Sequence, residues 1–133
     1  MREPRWVPRI AVEALHFDQV RAHGGLPGLR DEGLHEAALA RARHRWSYRR
    51  RPDIAALAAA YGFGIVRDHP FRDGNKRAAF LTVVVFLELN GRRFEAPEAE
   101  VVTTMLGVEA GDVTATQLAA WIRRSIVPRT TSA

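Results

Sequence analysis

The strongest constraint on the fold of this chain is a long apolar segment, Ala78–Leu89, in which ten of twelve residues are apolar. The β-branched run Thr82–Val85 favours a strand. Strands, however, are mostly ~5–6 residues long, and this segment continues without a break to Asn90–Gly91, a typical helix end. We therefore predict a helix over about residues 75–90 that is apolar on nearly every side and buried at the centre of the molecule.

Five further helices are predicted from the helical spacing of apolar residues and from capping residues. Asp31 and Asp53 can each cap a helix, and Thr114-x-x-Gln117 is a capping box that opens the last one. Gly62 would allow a neighbouring helix to approach closely. The helices are expected over about residues 9–23, 31–44, 53–65, 97–106 and 114–125, with a short extended piece at 92–96.

These elements predict an all-α fold, a bundle of about six helices around the central helix. A length of 133 residues fits one domain of the common size, ~100–150 residues, and no repeat or linker divides it. We expect a single domain over residues 1–133, with a core of about 9–125 and frayed ends. The chain has no cysteine, which excludes a disulfide scaffold and thiolate chemistry.

No part of the sequence predicts a membrane protein. The N-terminal residues lack the continuous apolar stretch of a signal peptide. The longest apolar segment is also shorter than the ~20 residues that span a bilayer. We expect a soluble, cytoplasmic protein with no membrane partner.

The basic residues are distributed unevenly. The formal net charge is +5, and of the twenty basic residues only Lys76 is a lysine. Six arginines lie within eleven residues, and such a run is most often a solvated surface. It could also dock a protein target or meet RNA. These arginines are Arg41, Arg43, Arg45, Arg49, Arg50 and Arg51.

The densest chemistry lies in residues 69–77, HPFRDGNKR. A turn containing Gly74 leads directly into the predicted central helix, whose first N–H groups lack internal partners and favour an anion. Asn75 can donate and accept hydrogen bonds, and Lys76 and Arg77 add positive charge. Because cations are unfavourable at a helix N-terminus, their presence indicates a binding site rather than a structural choice.

Three other residues of this segment complete the arrangement. Asp73 supplies a hard oxygen ligand suited to Mg²⁺ beside a phosphate site. His69 can accept a proton near neutral pH, although a single histidine is more often structural. Phe71 can anchor the loop in the core. Together these groups suit phosphoryl or nucleotidyl transfer to a hydroxyl.

The segment resembles the motif of the Fic/Doc family, HPFx[DE]GNGRxxR, and in particular its Doc (death-on-curing) branch, the toxins of type II toxin–antitoxin modules. The matching residues here are HPFRDGNKRAAF. His16, residues 23–40 and the segment before the motif also look like Doc. Lys76 stands in place of the Fic glycine and Phe80 in place of the second arginine, as in Doc proteins.

The resemblance implies a Fic/Doc-like helical bundle and a protein kinase that transfers the γ-phosphate of ATP. The implied acceptor is a threonine hydroxyl of translation elongation factor Tu, so the toxin would inhibit translation. The implied roles are a general base for His69, a Mg²⁺ ligand for Asp73, and binding of the ATP phosphates by Gly74, Asn75, Lys76 and Arg77.

The resemblance also implies a neutralising antitoxin of the Phd type, on a separate chain, because the sequence lacks the inhibitory pattern [ST]xxxE[GN]. The last helix and the surface around the first are candidate docking sites for it. The possible target-docking residues are Arg45, Arg49, Arg50 and Arg51. Two alternatives stay open: a Fic-like AMP-transferase, and a non-enzymatic protein that binds RNA or the ribosome, although direct nucleic-acid binding is the less favoured.

Overall fold

The computed structural model describes residues 1–48 and 52–128. Within this part of the chain the fold is mostly helical, with six helices and a two-stranded sheet, which confirms the predicted all-α class. The predicted docking residues Arg49, Arg50 and Arg51, and the tail 129–133, lie outside the described residues. The elements are α1 (Arg9–His23), α2 (Glu32–Tyr48), α3 (Ile54–Asp68), α4 (Asn75–Leu89), β1 (Arg92–Phe94), α5 (Glu98–Ala110), α6 (Ala115–Ser125) and β2 (Ile126–Pro128).

The predicted caps are present at the starts of three helices. The carboxylate of Asp31 accepts a hydrogen bond from the Leu34 N–H at 2.9 Å, before α2. Asp53 accepts one from the Ala56 N–H at 2.9 Å, at the start of α3. The Thr114 and Gln117 capping box at the start of α6 is complete in both directions. Each cap satisfies an N–H group that the helix itself leaves without a partner.

Three helices extend further than predicted, and the third continues past residue 65 to Asp68. The second continues to Tyr48 rather than residue 44, because no helix-breaking residue intervenes. The fifth passes through Gly107 and ends at Gly111, which takes the left-handed conformation (φ 87°). A Cβ on Gly107 would lie 2.6 Å from Val113, so this glycine serves close packing and does not end the helix.

The extended piece predicted at 92–96 contains β1, which pairs antiparallel with β2 in register Arg93↔Val127. The second strand was not predicted. It follows α6 directly, and its conformation depends on pairing with a segment about thirty residues away in the chain.

Two helices share the centre of the bundle. Ten of the fifteen residues of α3 are buried, and this helix contacts α2, α4, α5 and α6. Seven of the fifteen residues of the predicted central helix α4 are buried, and this helix packs against α3 and α1. A Cβ on Gly62 would lie 2.9 Å from Val83, so the glycine does allow α3 and α4 to approach closely.

No helix in the described part of the chain is both long and apolar enough to cross a membrane.

Candidate active site

A cleft of about 1310 Å³ opens beside the start of α4. Residues of the α3–α4 loop and of the first turn of α4 supply its polar lining, and later turns of α4 together with β1 and α5 supply an apolar lining. The polar residues include His69, Asp73, Lys76 and Arg77; the apolar ones include Phe80, Leu81, Val84, Phe94, Val101, Val102, Met105 and Leu106.

His69 ends α3 in a left-handed conformation, φ 52° and ψ 56°. It is the one non-glycine residue with positive φ among the described residues, a conformation that persists only where surrounding contacts hold it. The Arg30 guanidinium holds His69 in this conformation by donating hydrogen bonds to the His69 carbonyl at 2.7 Å and to the Asp68 carbonyl at 3.0 Å. The imidazole lines the cleft and has no hydrogen-bond partner among the described residues, so it can meet a substrate hydroxyl.

Phe71 anchors the loop in the core at 1% exposure. The amide of Asn75 closes the loop around it. Its Oδ1 accepts from the Phe71 N–H at 3.0 Å, and its Nδ2 donates to the Phe71 carbonyl at 2.9 Å. Asn75 is itself 3% exposed. Its side chain therefore shapes the loop. The group of Asn75 that can bind an anion is its backbone N–H, at the start of α4.

Two buried histidines flank the Phe71 ring, one on each of two helices. His16 of α1 stacks on it with ring centroids 3.8 Å apart and planes 8° apart, and His35 of α2 lies 5.2 Å away and tilted. His16 Nε2 donates to the Asp73 carbonyl at 2.7 Å. The His35 ring nitrogens have no hydrogen-bond partner among the residues that the structure describes, and burial lowers the pKa of its imidazole.

Our sequence reasoning missed the structural roles of Arg30, His16 and His35. A signal for His16 was present, because it lies four residues from both Val12 and Val20, which form the buried face of α1. The spacing of apolar residues in α1 did not indicate this buried face correctly, since the apolar side chain of Ile10 is 78% exposed.

Asp73 lies at the turn with one carboxylate oxygen engaged. Its Oδ2 accepts from the Leu26 N–H at 2.6 Å, while no described residue binds Oδ1. A Cβ on Gly25 would lie 3.0 Å from Asp73, so this glycine lets the preceding loop approach. Residues 1–48 and 52–128 contain no cluster of three potential metal ligands. Asp73 could supply the one protein carboxylate of a Mg²⁺ site that phosphate oxygens and water would complete.

The start of α4 carries positive charge and no cap. Gly74 precedes it in a left-handed conformation (φ 75°), and no side chain caps the helix or places an acid in its first turn. Arg77 is exposed, lines the cleft and forms no ion pair within the described residues. Lys76 differs, because its Nζ lies 2.9 Å from Oε2 of Glu109 on α5. An uncapped helix start with cationic side chains beside it can bind an anion.

Arg45 is not brought to the cleft. It lines a separate groove of about 680 Å³ between α2, α3 and α6, together with Arg41 and Arg123. Arg41 is held there by Asp68, which accepts from its guanidinium at 2.7 and 3.1 Å. None of the described members of the arginine run, Arg41, Arg43 and Arg45, lines the cleft that holds the motif residues.

In this small helical bundle, a histidine and an uncapped, cationic helix start line one cleft. Comparison with known protein families identifies the class of protein that has this arrangement. The model of the Fic/DOC family matches residues 6–87, and the chain belongs to that family. A particular relative is the protein named Protein kinase doc from Escherichia phage P1. The chain is 35% identical to it over 112 residues, which cover 84% of this chain and 87% of the relative.

Proposed function

We propose that this protein is a Doc-like toxin that phosphorylates a threonine hydroxyl of translation elongation factor Tu with the γ-phosphate of ATP. The name of the phage P1 relative supports a kinase. The resemblance of residues 69–80 to the Doc form of the motif supports the target and the inhibition of translation. We further propose neutralisation by a Phd-type antitoxin.

One observation carries the proposal. The imidazole of His69 has no hydrogen-bond partner within residues 1–48 and 52–128, and it lines the same cleft as the uncapped start of α4. A hydroxyl beside His69 would therefore face phosphates held by Arg77 and the first N–H groups of α4. A base and an anion site in one cleft are the two requirements of phosphoryl transfer.

In the proposed reaction His69 removes the proton of the threonine hydroxyl. The hydroxyl oxygen forms a bond to the γ-phosphorus, the bond from that phosphorus to the β–γ bridging oxygen breaks, and ADP leaves. Lys76, Arg77 and the N–H groups at the start of α4 stabilise the charge on the phosphates. Mg²⁺ held at Asp73 would supply further neutralisation of phosphate charge.

The residues of the cleft favour phosphorylation over AMP transfer. Phe80 occupies the position of the second arginine of the Fic motif, and its ring lies 5.3 Å from that of Phe94 in an edge-to-face contact. An apolar wall offers no charge to clamp a terminal phosphate there. Lys76 also places a side chain where the AMP-transferring relatives have glycine, which disfavours the nucleotide pose that AMP transfer needs.

The test is incubation with elongation factor Tu and ATP labelled at either the γ or the α position. We expect transfer from γ-labelled ATP only, and its loss in His69→Ala, because removing a general base typically lowers the rate ~10²–10⁴-fold. Transfer of the α label alone would instead identify an AMP-transferase. Toxicity that survives His69→Ala, with RNA affinity that falls steeply with salt, would favour the RNA-binding alternative.

A further inference from the structure

The one lysine of the chain is paired with a glutamate of another helix. Lys76 Nζ lies 2.9 Å from Glu109 Oε2, and the two side chains are 38% and 43% exposed. Lys76 also lines the cleft. The ammonium that the proposed function assigns to ATP phosphates is therefore already bound to a carboxylate.

Both charges lie at the unfavourable ends of their helices. Lys76 is the second residue of α4, where the helix dipole disfavours a cation, and no acid in the first turn offsets it. Glu109 is the second-last residue of α5, where the dipole disfavours an anion, and the last turn contains no basic residue. Each of the two charges is unfavourable with the dipole of its own helix, and such a conflict points to a functional constraint.

The backbone that carries Glu109 is held in place. Arg67 of α3 donates to the Glu109 carbonyl at 3.3 Å, and Gly111 ends α5 immediately afterwards. The Glu109 carboxylate is therefore presented to Lys76 from a fixed position. Because the pair is partly exposed to water, the side chains can separate without unfolding either helix.

We propose that Glu109 is a competing anion that lowers the affinity of Lys76 for polyphosphate. The carboxylate and a phosphate oxygen require the same ammonium group, so nucleotide binding must displace Glu109. This inference rests on the proposed function, since it assumes that Lys76 binds phosphate. An ion pair as exposed as this one should weaken phosphate binding by about two- to five-fold.

The unique lysine permits a direct measurement on the full chain. Lysine labelled with ¹³C at Cε gives one side-chain NMR signal, from Lys76, which can be followed as inorganic tripolyphosphate is added. We expect Glu109→Gln to bind about two- to five-fold more tightly than the unaltered protein. Glu98→Gln is the matched control, because it also removes one negative charge from α5, and Glu98 lines the cleft but forms no ion pair with Lys76.

The outcomes separate this inference from the proposed function. A saturable shift with the same affinity in all three proteins overturns the role of Glu109 and leaves the kinase proposal standing. An equal gain in Glu98→Gln also overturns it, because the effect would then be one of general charge. A Lys76 signal that neither tripolyphosphate nor ATP shifts in any variant overturns the role of Glu109 and removes Lys76 from the phosphate site of the proposed function.

Discussion

At the scale of single residues, the position of the motif loop depends on groups outside the motif. His16 reaches it from α1, donating to the Asp73 carbonyl and stacking on Phe71. Arg30 reaches it from the loop before α2 and holds the carbonyl of His69. These contacts hold His69 and Asp73 in one geometry, which a catalytic loop requires to a fraction of an ångström.

The hydrogen bond of His16 can be separated from its stacking by two substitutions. His16→Gln keeps an N–H donor at a similar reach, and His16→Phe keeps an aromatic ring against Phe71 but cannot donate. We expect His16→Phe to lower kcat by about two- to ten-fold, as expected for one lost hydrogen bond, with the KM for ATP little changed. Higher activity in the phenylalanine variant than in the glutamine variant would contradict this role.

His35 makes stability depend on pH. It is fully buried, its ring nitrogens have no hydrogen-bond partner in the described part of the chain, and burial lowers the pKa of its imidazole below the ordinary value of 6.5. The unfolded chain therefore binds a proton more readily, so the free energy of unfolding falls as pH drops below ~6.5. Arg9 lowers this pKa further, whereas Glu13, Glu32 and Glu36 raise it.

The measurement is urea unfolding of the unaltered protein and of His35→Leu at pH 7.5 and 5.5. We expect the unaltered protein to lose up to about 1.4 kcal/mol more than the variant over this interval. Equal losses in the two proteins would show that His35 does not titrate on unfolding in this range.

Lys76 should distinguish the phosphoryl-transfer chemistry from AMP transfer. We expect Lys76→Gly to lower phosphorylation of the target by about ten-fold or more, because a hydrogen bond to a charged group contributes ~1.5–3 kcal/mol. The assay is transfer from γ-labelled ATP, with α-labelled ATP run beside it and Lys76→Arg as the variant that keeps the charge. Unchanged phosphorylation in Lys76→Gly would remove the lysine from the proposed mechanism.

At the scale of elements, helix ends decide where the site lies. The loop that joins α3 to α4 begins at a left-handed His69 and ends at a left-handed Gly74. It therefore reverses the chain within six residues and presents the start of α4 to the cleft. The β-bridge between Leu29 and Phe71 ties the same loop to the segment before α2.

The capping box of α6 gives a stability prediction for one element. Thr114→Ala removes the side-chain acceptor of the Gln117 N–H, which lies at 3.1 Å. We expect a loss of about 1 kcal/mol in the free energy of unfolding, with most of it restored in Thr114→Ser. Thermal or urea unfolding measures both variants. If the serine variant is as unstable as the alanine variant, the loss of stability comes from lost packing instead of the lost hydrogen bond.

At the scale of the whole molecule, the surface indicates where a partner can dock. The apolar residues of α6 are buried, among them Leu118 and Ile122, so this helix offers little apolar surface. On α1, by contrast, Ile10 and Phe17 are 78% and 52% exposed and lie seven residues apart on one face. Of the two docking sites considered from the sequence, we therefore propose α1 for the antitoxin.

This choice is tested by measuring the binding of this protein to the proposed Phd-type antitoxin. We expect Ile10→Glu with Phe17→Glu to weaken binding at least about ten-fold, because burying a charge without a partner is unfavourable. Tyr48→Glu is the control, an 82% exposed residue at the end of α2. Equal binding by all three proteins would place the antitoxin elsewhere, and circular dichroism would confirm that each variant is folded.

Local sequence determined much of this protein. The all-α class, the caps at Asp31, Asp53 and Thr114, and the apolar character of α4 follow from residues within a few positions of one another. The family could likewise be identified from the contiguous residues of the motif loop. These features depend on backbone propensity and short-range hydrogen bonds, which neighbouring residues determine.

Tertiary structure alone decided the environment of each site residue. Sequence could not indicate that Glu109 reaches Lys76 across 33 positions, nor that His16 donates to Asp73 across 57. It also could not show that Asn75 directs its amide into the loop or that Arg45 lines a different groove. The physical reason is that side-chain contacts depend on which helix faces pack together, and that packing is set by the apolar surface of the whole chain at once.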